Sequence, residues 1–283
     1  MNGKVVVITG ATSGIGEVAA ERLASMGARI VAIARDRARG EATLARLRER
    51  APGLAHRVYY ANLSLLAEMK RVVGEIAAAE PRIDVLINNA GALFDKRQLT
   101  SDGLELTFAT NHMSYFVVTH GLRECLLASA PARVINTSSE AHRRMKIDFG
   151  DLQGARGYGP FKAYGRSKLC NILFTRELAH RLAGTGVTAN CLHPGFVSTR
   201  FGDQGKGAVS YILRLAKKFA ISPEKGAETI IFLASAKEVA GVTGEYFYQC
   251  RPKTPSIEAR DDQAAARLWQ ETAELALKNP AVR

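Results

Sequence analysis

The stretch from Lys4 to Gly16 reads KVVVITGATSGIG, and its reading decides the fold. Val5 to Ile8 form an unbroken apolar run too short for a helix, which predicts a strand buried on both faces. Gly10, Gly14 and Gly16 follow in the spacing G-x-x-x-G-x-G, and the segment EVAAERLASMG after them has helical spacing. A strand, a turn of small residues and a helix let the backbone approach a pyrophosphate and aim the helix's first amides at it. The spacing differs from the usual dinucleotide pattern, G-x-G-x-x-G, and a glycine-rich turn alone is weak evidence. Its placement between first strand and first helix makes Gly10, Thr12, Ser13, Gly14, Ile15 and Gly16 candidate cofactor-binding residues.

Outward from that stretch, apolar runs and helical segments alternate. Strand-like runs recur at ARIVAIA (28–34), HRVYYANL (56–63), IDVLINNAG (83–91), RVINTSS (133–139) and GVTANCLHPG (186–195). Between them lie helical patterns at RGEATLARLRER, LLAEMKRVVGEIAAAE, around 101–129, and in the run containing Tyr164. Short apolar strands alternating with longer helices predict an α/β protein, a doubly wound parallel sheet of the Rossmann type with helices on both faces. Without an internal repeat or low-complexity linker, residues 1–283 read as a single domain. The rhythm changes after Phe196. A glycine-rich, then basic amphipathic segment at about 198–222 reads as a substrate lid, or as a helix touching a membrane surface. GEYFYQ (244–249) reads as a last strand and about 256–279 as a C-terminal helical extension.

Composition narrows the class. Hydrophobic residues make up 47% of 283, enough for a buried core, so disorder is excluded. Cys125, Cys170, Cys191 and Cys250 share no C-x-x-C spacing and read as thiols of a reducing compartment. No apolar run of about 18 residues spans a membrane, and MNGKVVVITG lacks a signal peptide's apolar region, so the expectation is cytoplasmic. The net charge of +12 comes without zinc spacing, RNA-binding aromatics or a basic-region helix. Neither nucleic acid nor a metal is expected. An anionic cofactor is preferred, with weak membrane-surface contact as the lesser alternative.

The end of the second strand bears on which dinucleotide fits. An NAD site places a carboxylate there, about 20 residues past the loop, to accept from the ribose 2′-hydroxyl. Here Ala34 and Arg35 occupy that place, and a guanidinium suits a 2′-phosphate. Asp36 could point inward instead, so NADP(H) is favoured and NAD(H) stays open.

Tyr164 and Lys168 stand four residues apart in AYGRSK, on one helical face. Bringing a phenol from pKa near 10 to about 7 takes roughly 4 kcal/mol. A lysine charge about 4 Å away, at effective dielectric near 20, supplies on the order of 4 kcal/mol before desolvation. Tyr164 is therefore a candidate general acid/base. Ser138 and Ser139 end the fifth strand, at the edge where open α/β sheets bind ligands.

TGATSGIG (9–16), NNAG (88–91), Asn111, INTSS and YGRSK, in that order, resemble the short-chain dehydrogenase/reductase family. SSEAH (138–142), DLQG (151–154), SKLCNILFTRELAHRL, HPG (193–195), GVTGEYF and ARDDQAAARLWQ are similar to its retinol dehydrogenase-like branch. The resemblance implies an NADP(H)-dependent oxidoreductase interconverting an alcohol and an aldehyde or ketone by hydride transfer, on a small apolar substrate. It implies Asn111, Ser139, Tyr164 and Lys168 as catalytic residues. Ser139 and Tyr164 would hold the reacting oxygen, with Ser138 as the alternative serine. Lys168 would grip the nicotinamide ribose, and the Asn111 carbonyl would hold a water linking Lys168 to solvent. Further implied cofactor contacts are Asn62, Leu63, Asn89, Ala90, Gly91, Pro194, Gly195, Val197 and Thr199. Asn62 stands where the family commonly has an aspartate, and the apolar N-terminal anchor of membrane-bound animal members is not expected here, which weakens direct transfer of a retinoid substrate. Two subunits would pair through helices flanking the sheet. The alternatives are a ketoreductase for a steroid, polyketide or xenobiotic carbonyl, and a non-catalytic dinucleotide-binding scaffold. His112 and His142 read as structural.

Overall fold

In a computed structural model, which describes residues 1–197 and 221–277, the first strand sets the pattern for the rest. β1 (Val5–Thr9) alternates its side chains. Val6 and Ile8 enter one apolar cluster and Val7 the other, each with no exposure. A strand covered on both faces has no polar side, which is why it reads as a continuous apolar run.

β2 (Arg29–Ala34), β3 (Arg57–Tyr60), β4 (Val85–Asn88), β5 (Ala132–Thr137), β6 (Val187–His193) and β7 (Tyr246–Tyr248) complete the parallel part of the sheet. β8 (Arg251–Pro252) adds an antiparallel edge. The strand order is β3-β2-β1-β4-β5-β6-β7-β8. The chain turns outward in both directions from the β1–β4 pair, and open sheets of this kind bind ligands in the crevice at that switch point. The Rossmann-type doubly wound sheet read from the sequence is therefore the observed one.

On one face lie α1 (Gly14–Ser25), α2 (Arg37–Arg50) and the helix Pro223–Ser235, whose buried side chains join Val6, Ile8 and Ile30. The other face carries α3 (Leu66–Ala79) and a segment expected as one helix over about 101–129. That segment is broken into α4 (Leu106–Phe108), a π-helical turn Ala109–Met113, α5 (Ser114–Gly121) and α6 (Arg123–Leu127). A π-turn interrupts the ordinary ladder and is common at functional sites. This one contains Asn111 and His112.

α7 (Pro160–Arg181) starts with Pro at its first position, where the missing N–H costs nothing, and carries Tyr164 and Lys168 beneath the sheet's carboxyl edge. With α8 given to Pro223–Ser235, the last helix is α9 (Asp262–Leu277), within the expected extension. Trp269 docks it: its ring stacks on Phe174 of α7 at 5.6 Å and meets Phe116 of α5 edge-on at 5.0 Å. Arg181 covers the indole at 4.5 Å. Among the described residues no helix is long and apolar enough to cross a membrane. The expected lid at about 198–222 lies outside the described residues except for Ile221 and Ser222, and so does Thr199.

Candidate active site

The glycine loop owes its shape to space as much as to backbone freedom. Gly10 has φ +71°, and a Cβ there would lie 2.9 Å from Ala90 Cα. A Cβ on Gly16 would lie 2.3 Å from the Gly10 carbonyl and 2.4 Å from Asn89 Nδ2, so the turn closes only without a side chain. Thr9 Oγ1 accepts from the amides of Asn89 at 2.9 Å and Ala90 at 3.0 Å, and Asn89 Nδ2 donates to the Thr9 and Gly10 carbonyls, both at 3.3 Å. The Asn89 carboxamide thus ties the β4 end to the loop. Ser13 precedes α1 in extended conformation without a side-chain cap, leaving the helix's first amides to face an outside anion. Together with the cradle that a Cβ on Gly10 or Gly16 would fill, these groups fit a dinucleotide pyrophosphate.

At the carboxyl ends of β4 and β5 a second set converges. The Ser139 hydroxyl hydrogen-bonds the Tyr164 phenol and accepts from the Ala141 amide at 3.2 Å. Ser138 is one residue away, but its hydroxyl is buried and donates to the Lys168 carbonyl at 2.8 Å, which leaves Ser139 as the serine beside the phenol. Lys168 Nζ donates to the Thr137 carbonyl at 3.0 Å and lies 5.5 Å from the Tyr164 ring centre and 5.7 Å from that of Tyr115. Asn111 uses its side chain locally: Nδ2 donates to the Ala92 carbonyl and Ser167 Oγ, both at 2.9 Å, while Oδ1 accepts from the Ala92 amide. Gly91 has no left-handed φ. It matters for space, since a Cβ there would lie 3.3 Å from Asn111 Oδ1 and 3.4 Å from Lys168 Nζ.

The electrostatics correct one expectation. Attraction between Lys168 and Tyr164 was to lower the phenol toward neutrality. Burial instead pushes the Tyr164 phenol up to about 12, opposed by its bond to Ser139. Burial also pushes the Lys168 ammonium down to about 7. Desolvation penalises both charged forms and is the largest influence on each. Lys168 moreover directs its N–H at the Thr137 carbonyl. The protein alone therefore holds Tyr164 as a neutral proton donor.

At the adenosine end, Arg35 is exposed just past β2, while Asp36 caps α2 by accepting from the Arg39 amide at 2.8 Å. That bond commits the carboxylate that an NAD-type site would turn toward the ribose. Arg37 stacks over Tyr60 at 4.6 Å. At Asn62, expected as an adenine contact, Oδ1 accepts from Ser64 N at 3.2 Å and Ser64 Oγ at 2.8 Å. A short polar side chain after a strand forms such a turn readily. Leu63 is buried beside it. Past β6, Pro194 leads into Gly195 at φ +94°, and Val197 bridges to Ile221. A Cβ on Gly226 of α8 would lie within 2.6 Å of Val197 and 2.8 Å of Ile15, so this turn reaches the glycine loop.

Sequence reading missed several supports. Thr9 and Thr137 end strands inside the TGATSGIG and INTSS stretches, but spacing assigns neither a role. The Thr137 carbonyl receives Lys168 Nζ, Asn171 Nδ2 at 3.3 Å and Tyr115 Oη at 3.4 Å. Asn171, three residues past Lys168, could have been found from its place on the same side of α7 as Tyr164 and Lys168.

Comparison with known proteins agrees with this geometry. Residues 4–208 match the family model for short chain dehydrogenases. Retinol dehydrogenase 12 of Mus musculus is 41% identical over 273 residues, 96% of this chain and 86% of that protein. A crystal structure of an uncharacterised protein from Mycobacterium Paratuberculosis superposes with TM-score 0.76 at 31% identity, covering 97% of this chain and 94% of that one. The Pseudomonas aeruginosa RhlG/NADP active-site complex has TM-score 0.68 at 28% identity, over 87% and 94%. With the glycine loop at the β1–β4 switch point and serine, tyrosine and lysine gathered at the end of β5, the chain belongs to the short-chain dehydrogenase/reductase family, among its retinol dehydrogenase-like members, and is an NAD(P)-dependent oxidoreductase.

Proposed function

We propose that the protein reduces apolar aldehydes or ketones to alcohols with NADPH. The observation that carries this reading is the Ser139–Tyr164 hydrogen bond, formed beside Lys168 at the carboxyl edge of β5. When bound, the dinucleotide supplies a hydride. The chain's residues supply position and a proton. Ser139 Oγ and Tyr164 Oη hold the carbonyl oxygen, and Tyr164 donates its proton as negative charge develops there. A phenol held at about 12 is protonated at neutral pH, which favours reduction. Lys168 holds the nicotinamide ribose and, as an ammonium, limits the cost of the phenolate left behind. The interrupted helix at Asn111 offers a carbonyl for a water that returns protons toward Lys168.

Preference for NADPH rests on Arg35 standing exposed past β2 while Asp36 is engaged in capping. The NADP found in the related Pseudomonas complex is consistent with it. Preference for apolar substrates rests on Phe161 and Phe196, exposed on the first turn of α7 and in the turn after β6. The retinol dehydrogenase relatives support the same substrate class. The test is a panel of aliphatic, aromatic and isoprenoid aldehydes and ketones with NADPH and with NADH, ranked by kcat/KM. The expected result is higher kcat/KM for long apolar aldehydes than for acetaldehyde, with NADPH above NADH. Absence of turnover with every carbonyl and both dinucleotides would overturn the reading.

A further inference from the structure

Two histidines that do not belong to the proposed reaction share one unusual arrangement. Each has one ring nitrogen toward the reactive residues and the other toward the C-terminal part of the chain. His142 lies 2.7 Å from the Ser139 carbonyl through Nδ1, and the Ser256 amide donates to its Nε2 at 3.2 Å. A carbonyl can only accept and an amide N–H can only donate, so the pair fixes the tautomer: Nδ1 carries the proton and Nε2 is bare. His112 repeats this. Its Nδ1 lies 3.4 Å from Asn171 Oδ1, and its Nε2 is 3.0 Å from Thr272 Oγ1 on α9. The Asn171 amide is oriented by its Nδ2 donating to the Thr137 carbonyl. Its oxygen therefore faces His112 and accepts from Nδ1, and the Thr272 hydroxyl donates to Nε2.

The two chains of bonds end at the two sides of the proposed reaction. One runs from Ser256 through His142 to Ser139, whose hydroxyl meets Tyr164. The other runs from Thr272 through His112 and Asn171 to the Thr137 carbonyl, which also holds Lys168 Nζ. We propose that His112 and His142 are positioning residues through which the C-terminal segment, Tyr246–Leu277, holds Lys168 and Ser139 in place. This rests on the reductase reading above and adds to it a role for the described residues from Tyr246 to Leu277.

The surroundings favour neutral imidazoles. His112 is fully buried against Phe108 and Phe174, and burial lowers it to about 4. His142 is buried beside Tyr246 and is lowered chiefly by burial, with the Ser139 carbonyl opposing. The charged or titratable groups facing His142 are Glu140, Arg143, His193, Lys253 and Glu258. Glu140 adds a parallel tie, accepting from Tyr246 Oη at 2.8 Å and pairing with Lys253 at 3.0 Å. A proton added to Nε2 of His142 would set a donor against the Ser256 amide and break that link.

The experiment uses the full chain. Histidine-labelled protein is read by nitrogen NMR for tautomer, and decanal reduction with NADPH is followed for wild type, T272V, T272S and H142F, alongside NADPH affinity and melting temperature. Both rings are expected as Nδ1–H tautomers. T272V, which removes only the hydroxyl, is expected to lower kcat about tenfold while NADPH affinity stays within about twofold. T272S is expected to restore kcat to within about twofold of wild type, and H142F to lower it by at least tenfold. An Nε2–H tautomer at either ring, or a folded T272V and H142F both within twofold of wild type, would overturn the positioning role while leaving the reductase reading standing. A wild-type chain inert toward all carbonyls, with the tautomers as stated, would refute the reductase reading, and the positioning role would fall with it.

Discussion

The glycine loop and the Tyr164 crevice sit at neighbouring strand ends of one sheet, yet they are held by different physics. In the loop, shape comes from missing side chains: a Cβ at Gly16 has no room, and Thr9 and Asn89 bind mostly backbone groups. Nothing there is ionisable. The crevice is built from polar groups taken out of water, and burial moves their titration: Tyr164 up to about 12, Lys168 down to about 7. The loop should therefore fail sterically and independently of pH. The crevice should fail chemically, and with pH.

The sharpest way to break that contrast is Tyr164→Phe, which removes one oxygen and little packing. Loss of a general acid is worth 10²–10⁴ in rate, so kcat for carbonyl reduction is expected to fall about a thousandfold with NADPH affinity nearly unchanged. Fluorescence titration beside steady-state kinetics checks both halves. Gly16→Ala tests the other region. It is expected to weaken NADPH binding by about a hundredfold at every pH and to cost about 1–3 kcal/mol of stability by overpacking against the Gly10 carbonyl. Binding that recovers on changing pH would blur the distinction drawn here. Arg35→Ala should be gentler, weakening NADPH about tenfold and sparing NADH, because an exposed guanidinium acts on the 2′-phosphate alone.

A pH prediction sharpens the contrast further. His112 is held at about 4 in the folded chain against 6.5 when free, so between those values the unfolded chain binds more protons. Stability is then fully present above pH 6.5 and lost as pH falls toward 4, by about 3 kcal/mol from this residue. His142 and His193 are shifted in the same direction. Urea unfolding across pH 4–7 should show the decline, and H112F should flatten part of it.

The β1–α1 unit, the strand alternation and Tyr164–Lys168 on one helical face were legible because each is written in local spacing. The choice of Ser139 over Ser138 came only through the family resemblance, since its physical reason is where the Lys168 carbonyl falls, thirty residues on. The break of the 101–129 helix at Asn111 was equally hidden: its cause is a side chain reaching Ala92 and Ser167. His112 and His142 looked inert because their partners, Thr272 and Ser256, lie 160 and 114 residues away. The phenol's upward shift was missed for another reason. Attraction is readable from a four-residue spacing, but burial is a property of the whole fold.

Hydride transfer onto a carbonyl carbon beside Tyr164 is the claim on which the rest depends. Reduction of decanal with NADPH deuterated at the nicotinamide C4, followed by mass spectrometry of the alcohol, tests it directly. The predicted result is one deuterium at the carbinol carbon from one of the two C4 faces and none from the other, lost in Tyr164→Phe. Alcohol formed without deuterium from either face, or formed equally fast by Tyr164→Phe, would contradict it.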